Sequence, residues 1–446
     1  MKLAKISLVA ALALSATSAF AIENVKVDGQ AVFYYQTIDS DAGSNSLFSK
    51  DNQLTYNTGP MDNAGNRILS GTTANVGVNV GVTADLGAGF GAGARGFYLD
   101  TLGLEGNIVG GAQQIADAND PVGGAGWLGE GYLTYSFGNT MIKAGRQEID
   151  TPYAFTEKWN VFPTTFDATV VVNKDIQDIT LVGAFISESN GHIGMDSFNS
   201  VGANAGTIGV AGAGQVGNGA YLLAGHYTGV ANTTINAYAY NLRSFANAYW
   251  FDAVTKFAGT DTFEGITAKV AYTNVELDGS EVARRLAANP LALDQGDTDA
   301  FTAELSTKVG NVALSAAYSD VSSGNVGIYN LAGAGIKSKL YTSNILGDGD
   351  VAGATDTEAW KIKASTNLMG VGVTAQYANY DHGNNAGGVT PFGPVTGQDA
   401  DSFELVFNKK IADIDLNLIY FYTDNVNLTN PTGAADTIRF VARYNF

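Results

Sequence analysis

The sequence has no cysteine, so no disulfide bond contributes to its stability. This absence argues against a small secreted domain that is stapled by disulfides. Basic residues are also scarce, since 24 Lys and Arg stand against 43 Asp and Glu and the formal net charge is −19. A nucleic-acid binder is therefore excluded, because its affinity depends on cationic side chains.

Long apolar runs are missing too. After residue 21 the chain has no unbroken apolar stretch of the roughly 18 residues that a membrane-spanning helix requires. At the start, Lys2 and Lys5 precede a shorter apolar run that ends in Ala-Phe-Ala, the small-x-small pattern at which signal peptidase cleaves. We therefore predict a signal peptide over residues 1–21 and an exported chain over residues 22–446. Such a chain is either soluble after export or crosses a membrane as a barrel.

Glycine and aromatic residues are abundant, with 55 Gly, 21 Tyr and 22 Phe. This composition is too apolar for a disordered chain and too rich in glycine for a helical one, which indicates a large all-β protein. From Val76 to Leu86 the apolar residues fall on alternate positions, with Gly, Asn, Thr and Asp between them. The last residues of the chain alternate in the same way, so these segments have one apolar and one polar face.

Segment count and loop lengths favour a barrel. About eighteen segments of roughly ten residues, the size of a tilted barrel strand, fit the pattern. Their predicted starts lie near Val25, Ala74, Gly89, Leu128, Thr140, Asp167, Asp178, Gly219, Asn232, Ala246, Glu264, Thr298, Asn311, Asp356, Gly370, Ala400, Ala412 and Ala435. Tight turns and long connections alternate along nearly the whole chain, and the one exception is the short junction at residues 241–245. We predict an all-β, antiparallel transmembrane β-barrel with short periplasmic turns and long extracellular loops.

Three segments resemble known porins. Residues 143–168 are similar to the fifth strand and third loop of Opr-family porins and read KAGRQEIDTPYAFTEKWNVFPTTFDA. Residues 248–278 and 340–350 resemble the major outer-membrane porins of campylobacter-type bacteria and read AYWFDAVTKFAGTDTFEGITAKVAYTNVELD and LYTSNILGDGD. The resemblance implies an 18-stranded trimeric diffusion channel in the bacterial outer membrane.

The resemblance also implies that the third loop, from Glu148 to Phe166, folds into the barrel and narrows the pore. Two prolines stiffen this loop, and its aromatic residues can pack against a wall while its charges face water. The alternative is an exposed surface loop. The predicted constriction residues are Asp150, Tyr153, Glu157, Lys158 and Trp159.

Alternation predicts which side chains line the pore. The predicted basic residues are Arg95, Lys143, Arg146, Lys269, Lys361, Lys363, Arg439 and Arg443, and the predicted acids are Glu130, Glu304, Glu404 and Asp415. Arg146 is included although strict alternation places it on the lipid face. The lumen of a porin also tolerates any charge, so these residues can simply be solvated. The C-terminal strand resembles the signal that outer-membrane assembly machinery reads in porins, through Phe440, Tyr444 and Phe446.

Charges held on opposite sides of a narrow pore produce a transverse field. Most of the acidic excess lies in the predicted outer loops, where it can enrich cations at the mouth of the pore. We therefore predict a modest cation preference that falls as salt rises, with Asp150 and Glu157 acting at the narrowest point. The campylobacter-type resemblance also implies calcium bound by acids in the pore, although the sequence has no compact calcium-binding loop. Otherwise no cofactor is expected.

No pattern points to an enzyme. The Gly91–Gly96 stretch matches a dinucleotide fingerprint but lies in an alternating segment that no helix follows. The three histidines, His192, His226 and His382, fall in separate segments, with His192 and His382 predicted in loops. We predict an outer-membrane porin for passive diffusion of small hydrophilic solutes and ions; the alternatives are a substrate-selective channel and a barrel that serves in adhesion or envelope structure. The expected partners are outer-membrane lipid, the solutes, the assembly machinery and two further copies of the chain.

Overall fold

Alternation of apolar and polar residues produces eighteen long strands in the computed structural model. The structure describes residues 22–40, 47–48, 72–104, 124–190, 198–201, 219–260, 264–282, 296–333, 335, 337–344, 349–383, 399–424 and 434–446. In chain order the strands are β1 Glu23–Ser40, β2 Thr72–Gly87, β3 Phe90–Asp100, β4 Ala125–Phe137, β5 Thr140–Gln147, β6 Phe166–Asn173, β7 Ile179–Ser189, β8 Ala220–Val230, β9 Thr233–Leu242, β10 Ala246–Phe257, β11 Ile266–Leu277, β12 Thr298–Val309, β13 Val312–Val321, β14 Thr357–Leu368, β15 Val371–His382, β16 Asp399–Ile411, β17 Ile414–Asp424 and β18 Ala435–Asn445.

Each strand pairs with the next in antiparallel register, and β18 pairs with β1, so the sheet closes on itself. At this seam Phe446 N donates to Gly29 O and Gly29 N donates to Phe446 O, at 3.0 and 2.8 Å. Closure leaves no free edge of unpaired backbone groups, as a membrane interior demands. The predicted antiparallel 18-stranded barrel is confirmed.

The two ends of the barrel differ. At one end, most connections are two-residue turns such as 88–89, 310–311 and 369–370, where residues with positive φ reverse the chain. At the other end, long connections follow all but one strand pair. The exception is the three-residue turn at 243–245, where Phe245 N bonds Leu242 O at 2.9 Å. We call these the short-turn end and the long-loop end.

The outward faces of the strands are apolar and exposed, for example at Val78, Val80 and Leu305. The largest buried apolar cluster lies inside the barrel, where inward wall residues such as Trp250 meet loop residues such as Tyr153. Loop residues therefore fill part of the interior at this level.

The described residues contain little helix: α1 covers Gly349–Ala352, and a single helical turn covers residues 279–282. Among the described residues, no helix is long and apolar enough to cross a membrane. The Gly91–Gly96 stretch lies within β3. The loop assignment of His382 was wrong, because this residue ends β15 and is buried. His192 and the predicted signal peptide lie outside the described residues.

Candidate functional site in the barrel lumen

The third connection at the long-loop end, residues 148–165, folds into the lumen as predicted and is called the third loop. It opens with a small hairpin in which Asp150–Thr151 pairs with Ala154–Phe155. The hairpin satisfies backbone groups locally, which a loop away from both the sheet and bulk water requires.

Tyr153 at the tip of this hairpin fixes the loop to one wall. The side chain is fully buried, and its hydroxyl is hydrogen-bonded to Thr273 Oγ1 on β11. Its ring packs edge-on against Tyr240 and Trp250, with ring centroids 5.4 and 6.1 Å apart. Burial raises the pKa of the Tyr153 phenol, because the phenolate is disfavoured away from water. Tyr153 is thus an uncharged, buried side chain that packs the loop against the wall, and it does not line the pore.

The middle of the third loop is held by two arginines of β18. Arg443 donates from Nη1 to Val161 O at 3.0 Å and from Nη2 to Asn160 O at 2.9 Å. Arg439 donates to Trp159 O at 3.4 Å. Both arginines were predicted to line the pore, but their guanidinium groups face the loop backbone.

An aromatic cluster packs the same part of the loop against β2, β3 and β4. The Phe162 ring lies 4.7 Å from that of Phe97 and 5.9 Å from that of Trp127. Gly77 leaves the space that the ring fills, since a Cβ at this position would lie 2.5 Å from Phe162 Cζ. The third loop therefore spans the lumen from β9–β11 to β2–β4 and β18.

A second loop meets it there, which the sequence did not predict. This is the seventh loop, residues 322–356, between β13 and β14. Ala332 N donates to Tyr153 O at 2.8 Å. The Asn330 side chain both accepts from Phe155 N at 3.0 Å and donates to Phe155 O at 2.7 Å. One backbone hydrogen bond and the Asn330 side-chain amide thus join the two loops.

Glu157 lies at this junction. Its carboxylate accepts hydrogen bonds from Trp159 Nε1 at 2.7 Å, Asn330 Nδ2 at 3.1 Å and Lys337 N at 3.2 Å. The residue is only 3% exposed. The structure therefore corrects the predicted role of Glu157 as a charge facing pore water: three donors hold it between the loops instead.

Polar wall residues hold the seventh loop from the other side. Lys361 Nζ donates to Ser343 O at 2.6 Å. Gln376 Nε2 donates to Asn344 Oδ1 at 3.2 Å and also to Glu404. Lys361 and Glu404, both predicted to line the pore, are 7% and 0% exposed. Lys361 thus anchors the loop directly, and Glu404 is buried behind Gln376, which contacts the loop.

An exposed ion pair remains at the rim of the junction. Lys339 Nζ of the seventh loop lies 2.6 Å from Asp150 Oδ1 of the third, and the two side chains are 37% and 78% exposed. The Lys339 ammonium also lies 4.5 Å from the centroid of the Phe155 ring. A second exposed pair, Lys158 with Glu148 at 2.6 Å, lies within the third loop. Asp150 and Lys339 thus present one charge of each sign to water at the constriction.

Two predicted wall cations sit on β3 and β5. Arg95 pairs with Asp28 at 2.5 Å and with Glu130 at 3.0 Å. Lys143 Nζ lies 3.7 Å above the centroid of the Tyr132 ring. Inward acids and aromatic rings offset both charges.

Arg146 does not belong with the pore-lining residues. The strand pairing of β5 shows no register shift. Arg146 is the direct cross-strand partner of outward-facing Gly131 on β4 and of Asp167 on β6, so it faces outward as well. Its guanidinium binds both carboxylate oxygens of Asp167 at 2.7 and 2.8 Å and stacks 3.3 Å from the Phe198 ring. Gly145 has a φ of 123° but introduces no register shift, so it does not reset the alternation.

A row of polar inward residues crosses five strands nearer the short-turn end. The members are direct cross-strand partners from β10 to β14, namely Lys256, Thr267, Ser306, Ser315 and Lys363. They line a cavity of about 480 Å³. Three hydroxyl groups thus lie between two lysines.

Charge pairing within this cavity is uneven. Two of its lysines are paired with acids at 2.8 Å, Lys269 with Glu304 and Lys308 with Glu264. In the part of the chain that the structure describes, Lys256 and Lys363 make no ion pair. The cavity therefore carries two cations that are open to a solute.

The C-terminal residues predicted as an assembly signal lie at the seam. Phe440 faces outward with its ring 6.2 Å from that of Phe33, and the Tyr444 ring lies 5.8 Å from that of Phe446. The predicted wall acid Asp415 accepts a hydrogen bond from Asn445 at 2.8 Å.

Sequence reasoning missed the seventh loop, above all Asn330, Lys337 and Lys339. The sequence showed a long connection at the same end as the third loop and a porin resemblance at residues 340–350, but neither feature indicates that this loop folds inward. Within the described residues, no group of three or more His, Asp or Glu side chains is placed to hold a metal ion.

Comparison with known proteins agrees with this architecture. Residues 72–404 match the OprD family of outer membrane porins. Pseudomonas aeruginosa OccK8 (OprE) superposes with a TM-score of 0.71 at 16% identity, covering 96% of this chain and 99% of its own. Pseudomonas aeruginosa OpdK with vanillate gives 0.70 at 13% identity over 95% and 99% of the two chains.

Acinetobacter baumannii OccAB2 gives a TM-score of 0.70 at 14% identity over 95% and 98% of the two chains. No curated protein matches by sequence. These structural likenesses describe the fold, while the family match covers most of the chain. The chain therefore belongs to the OprD family of outer membrane porins, and its barrel stands in the bacterial outer membrane.

Proposed function

We propose that this porin is a solute-selective channel for passive diffusion of small hydrophilic molecules that carry a carboxylate or a similar oxyanion. One observation carries the proposal: the lysine–hydroxyl row from Lys256 to Lys363 lines a cavity on the inner wall, nearer the short-turn end than the two loops. Hydroxyl groups and ammonium groups are hydrogen-bond donors that suit an oxyanion. The OpdK structure with vanillate, a carboxylate bound to a protein of the same fold, supports the same class.

A general diffusion pore is the second candidate. The exposed pair of Asp150 and Lys339 is compatible with either function. Two opposite charges at a narrow point can influence which ions pass without forming a binding site for one solute. Cation preference stays a prediction; its contribution from the constriction now depends on Asp150, since Glu157 is buried. Adhesion as the main role gains no support from loops that fold inward.

Current recording in planar bilayers tests the proposal. Vanillate should reduce the ion current with a saturable dependence on its concentration, and the neutral alcohol of the same ring should not. Lys363→Gln should weaken the vanillate effect about tenfold, the typical loss for one hydrogen bond to a charged group. Lys308→Gln is the matched control, because this lysine lies in the same cavity but is paired with Glu264. Equal inhibition by both compounds, or an unsaturable response, would leave the general pore as the better account.

Trimeric assembly is a further proposal, supported by the porin resemblance and by small outward residues such as Ala31 and Ala442 along the seam. Gly29 does not contribute, because the Phe446 ring occupies the space beside it. Cross-linking in native membranes should yield trimers; a uniform yield of monomers would count against this assembly.

A further inference from the structure

The closing seam of the barrel coincides with the seat of the third loop. Gln36 on β1 and Arg439 on β18 are direct cross-strand partners. Arg439 donates from Nε and Nη2 to Gln36 Oε1 at 2.9 and 2.6 Å, while its Nη1 points to Trp159 O at 3.4 Å. Arg439, a residue of the last strand that is 5% exposed, therefore contacts both the first strand and the loop through one guanidinium group.

Arg443, four residues further along β18, repeats the arrangement. It is the direct partner of Val32 on β1, and its Nη1 and Nη2 donate to Val161 O and Asn160 O. Asn160 and Val161 are each 1% exposed. Buried carbonyl groups need donors, and the planar fork of arginine supplies two in fixed directions.

We propose that Arg439 and Arg443 are positioning residues that couple closure of the barrel to placement of the constriction. Both side chains acquire their positions only when β18 pairs with β1, and the loop carbonyls acquire their donors at the same moment. Pairing of the last strand with the first thus also positions the third loop. The inference rests on the proposed function only in taking the third loop as the part that narrows the pore.

Arg95 provides a matched control. It is also an inward arginine with several hydrogen bonds, but its partners are Asp28, Asn79 and Glu130 on wall strands. Removing its charge changes the lumen without touching the loop. A difference between Arg95→Gln and the β18 variants therefore reports positioning and not charge.

The test uses the absence of native cysteine. Val161→Cys places a single thiol at a position that is 1% exposed, and a membrane-impermeant thiol reagent measures its protection in outer membranes. Arg439→Gln with Arg443→Gln should accelerate labelling at least about tenfold, because the loop opens more often without its donors. Arg95→Gln should leave the rate unchanged. Unchanged labelling in the double variant, with its heat-sensitive gel mobility intact, would overturn the proposal.

Two further measurements keep the test decisive if the double variant does not assemble. Arg439→Lys and Arg443→Lys keep the charge but lose the planar guanidinium geometry, so the thiol of Val161→Cys should be labelled faster in each variant than in the parent. Labelling at the parental rate in both variants would overturn the proposal. During refolding into lipid vesicles, protection of the thiol should appear no earlier than the heat-sensitive mobility of the closed barrel, and earlier protection would refute the coupling. Labelling does not depend on solute transport, so it remains valid whichever transport function is found.

Discussion

The buried carboxylate of Glu157 allows a sharp test of how the constriction is built. If it joins the two loops, its removal should loosen them; if it faced pore water, its removal should mainly change ion preference. We compare Glu157→Ala and Glu157→Gln with Asp150→Asn. Asp150 is the matched acid, because it contacts the same seventh loop through Lys339 but is largely exposed.

The structure sets the expected size of each effect. Glu157→Ala leaves the Trp159, Asn330 and Lys337 donors without their acceptor, and each unsatisfied buried donor costs about 1–3 kcal/mol. Because effects of groups in one network do not simply add, we expect the junction to lose about 3–5 kcal/mol. The fraction of time that the loops spend apart then rises roughly 100-fold to 4000-fold. Exposed pairs such as Asp150 with Lys339 are worth about 0–1 kcal/mol.

Glu157→Gln is the informative intermediate. The glutamine amide keeps one oxygen that can accept from Asn330 and Lys337. Its NH2 group replaces the oxygen that accepts from Trp159 Nε1, so two donors face each other there. We expect a smaller loosening, of about 1–3 kcal/mol for the one unsatisfied donor pair.

Single-channel recording and liposome swelling read out the difference. Both Glu157 variants should show larger fluctuations of the open-channel current and admit larger sugars, whereas Asp150→Asn should keep a steady current and shift the zero-current potential. The reasoning is refuted if Glu157→Gln shifts that potential as far as Asp150→Asn while current noise and sugar cutoff stay at parental values.

Further outcomes can be checked with simple variants. At low salt, Asp150→Asn should move the zero-current potential toward anion preference and Lys363→Gln toward cation preference, and both shifts should shrink as salt rises. Gly77→Leu should displace the Phe162 ring and raise conductance, because even a Cβ at this position lies 2.5 Å from the ring; parental conductance would argue that the aromatic seat is dispensable. Deleting Phe446 removes its two hydrogen bonds with Gly29 and should lower the amount in the outer membrane without blocking export, which fractionation measures. Unheated and boiled samples should migrate differently in detergent gels, since a closed barrel offers no free edge from which unfolding begins.

Strand positions were accessible from sequence because a half-buried strand has a period of two residues. Every predicted start lies within three residues of an observed one, including Thr140, Ala246 and Thr298. Inward or outward direction follows from the same period, which is why Lys269 and Glu304 were both assigned to the lumen. Arg146 shows where this reasoning stops. Alternation correctly placed it on the outward face, but the sequence alone did not show that Asp167 on β6 would pair with the charge there.

The roles of lumen charges were not accessible in the same way. Alternation indicates that Arg439, Arg443 and Lys361 point inward, but it does not indicate what lies in front of them. Their partners are backbone carbonyls of loops that return from the long-loop end, at a separation of 280 residues for Arg439 and Trp159. No local pattern encodes such contacts. Glu157 was misassigned for the same reason, since its donors Asn330 and Lys337 lie on another loop.

The paired charges along the passage also determine the distance at which a solute senses them. From afar, Asp150 with Lys339 and Lys269 with Glu304 are each a small dipole, whose potential falls with the square of distance where that of a lone charge falls with the first power. Salt shortens this range further, to a screening length of about 8 Å at physiological ionic strength. A molecule drifting in from bulk water is therefore barely attracted or repelled by these pairs. Discrimination begins only when it is close enough to exchange hydrogen bonds with them, so two solutes of equal charge but different shape can be told apart within the same passage.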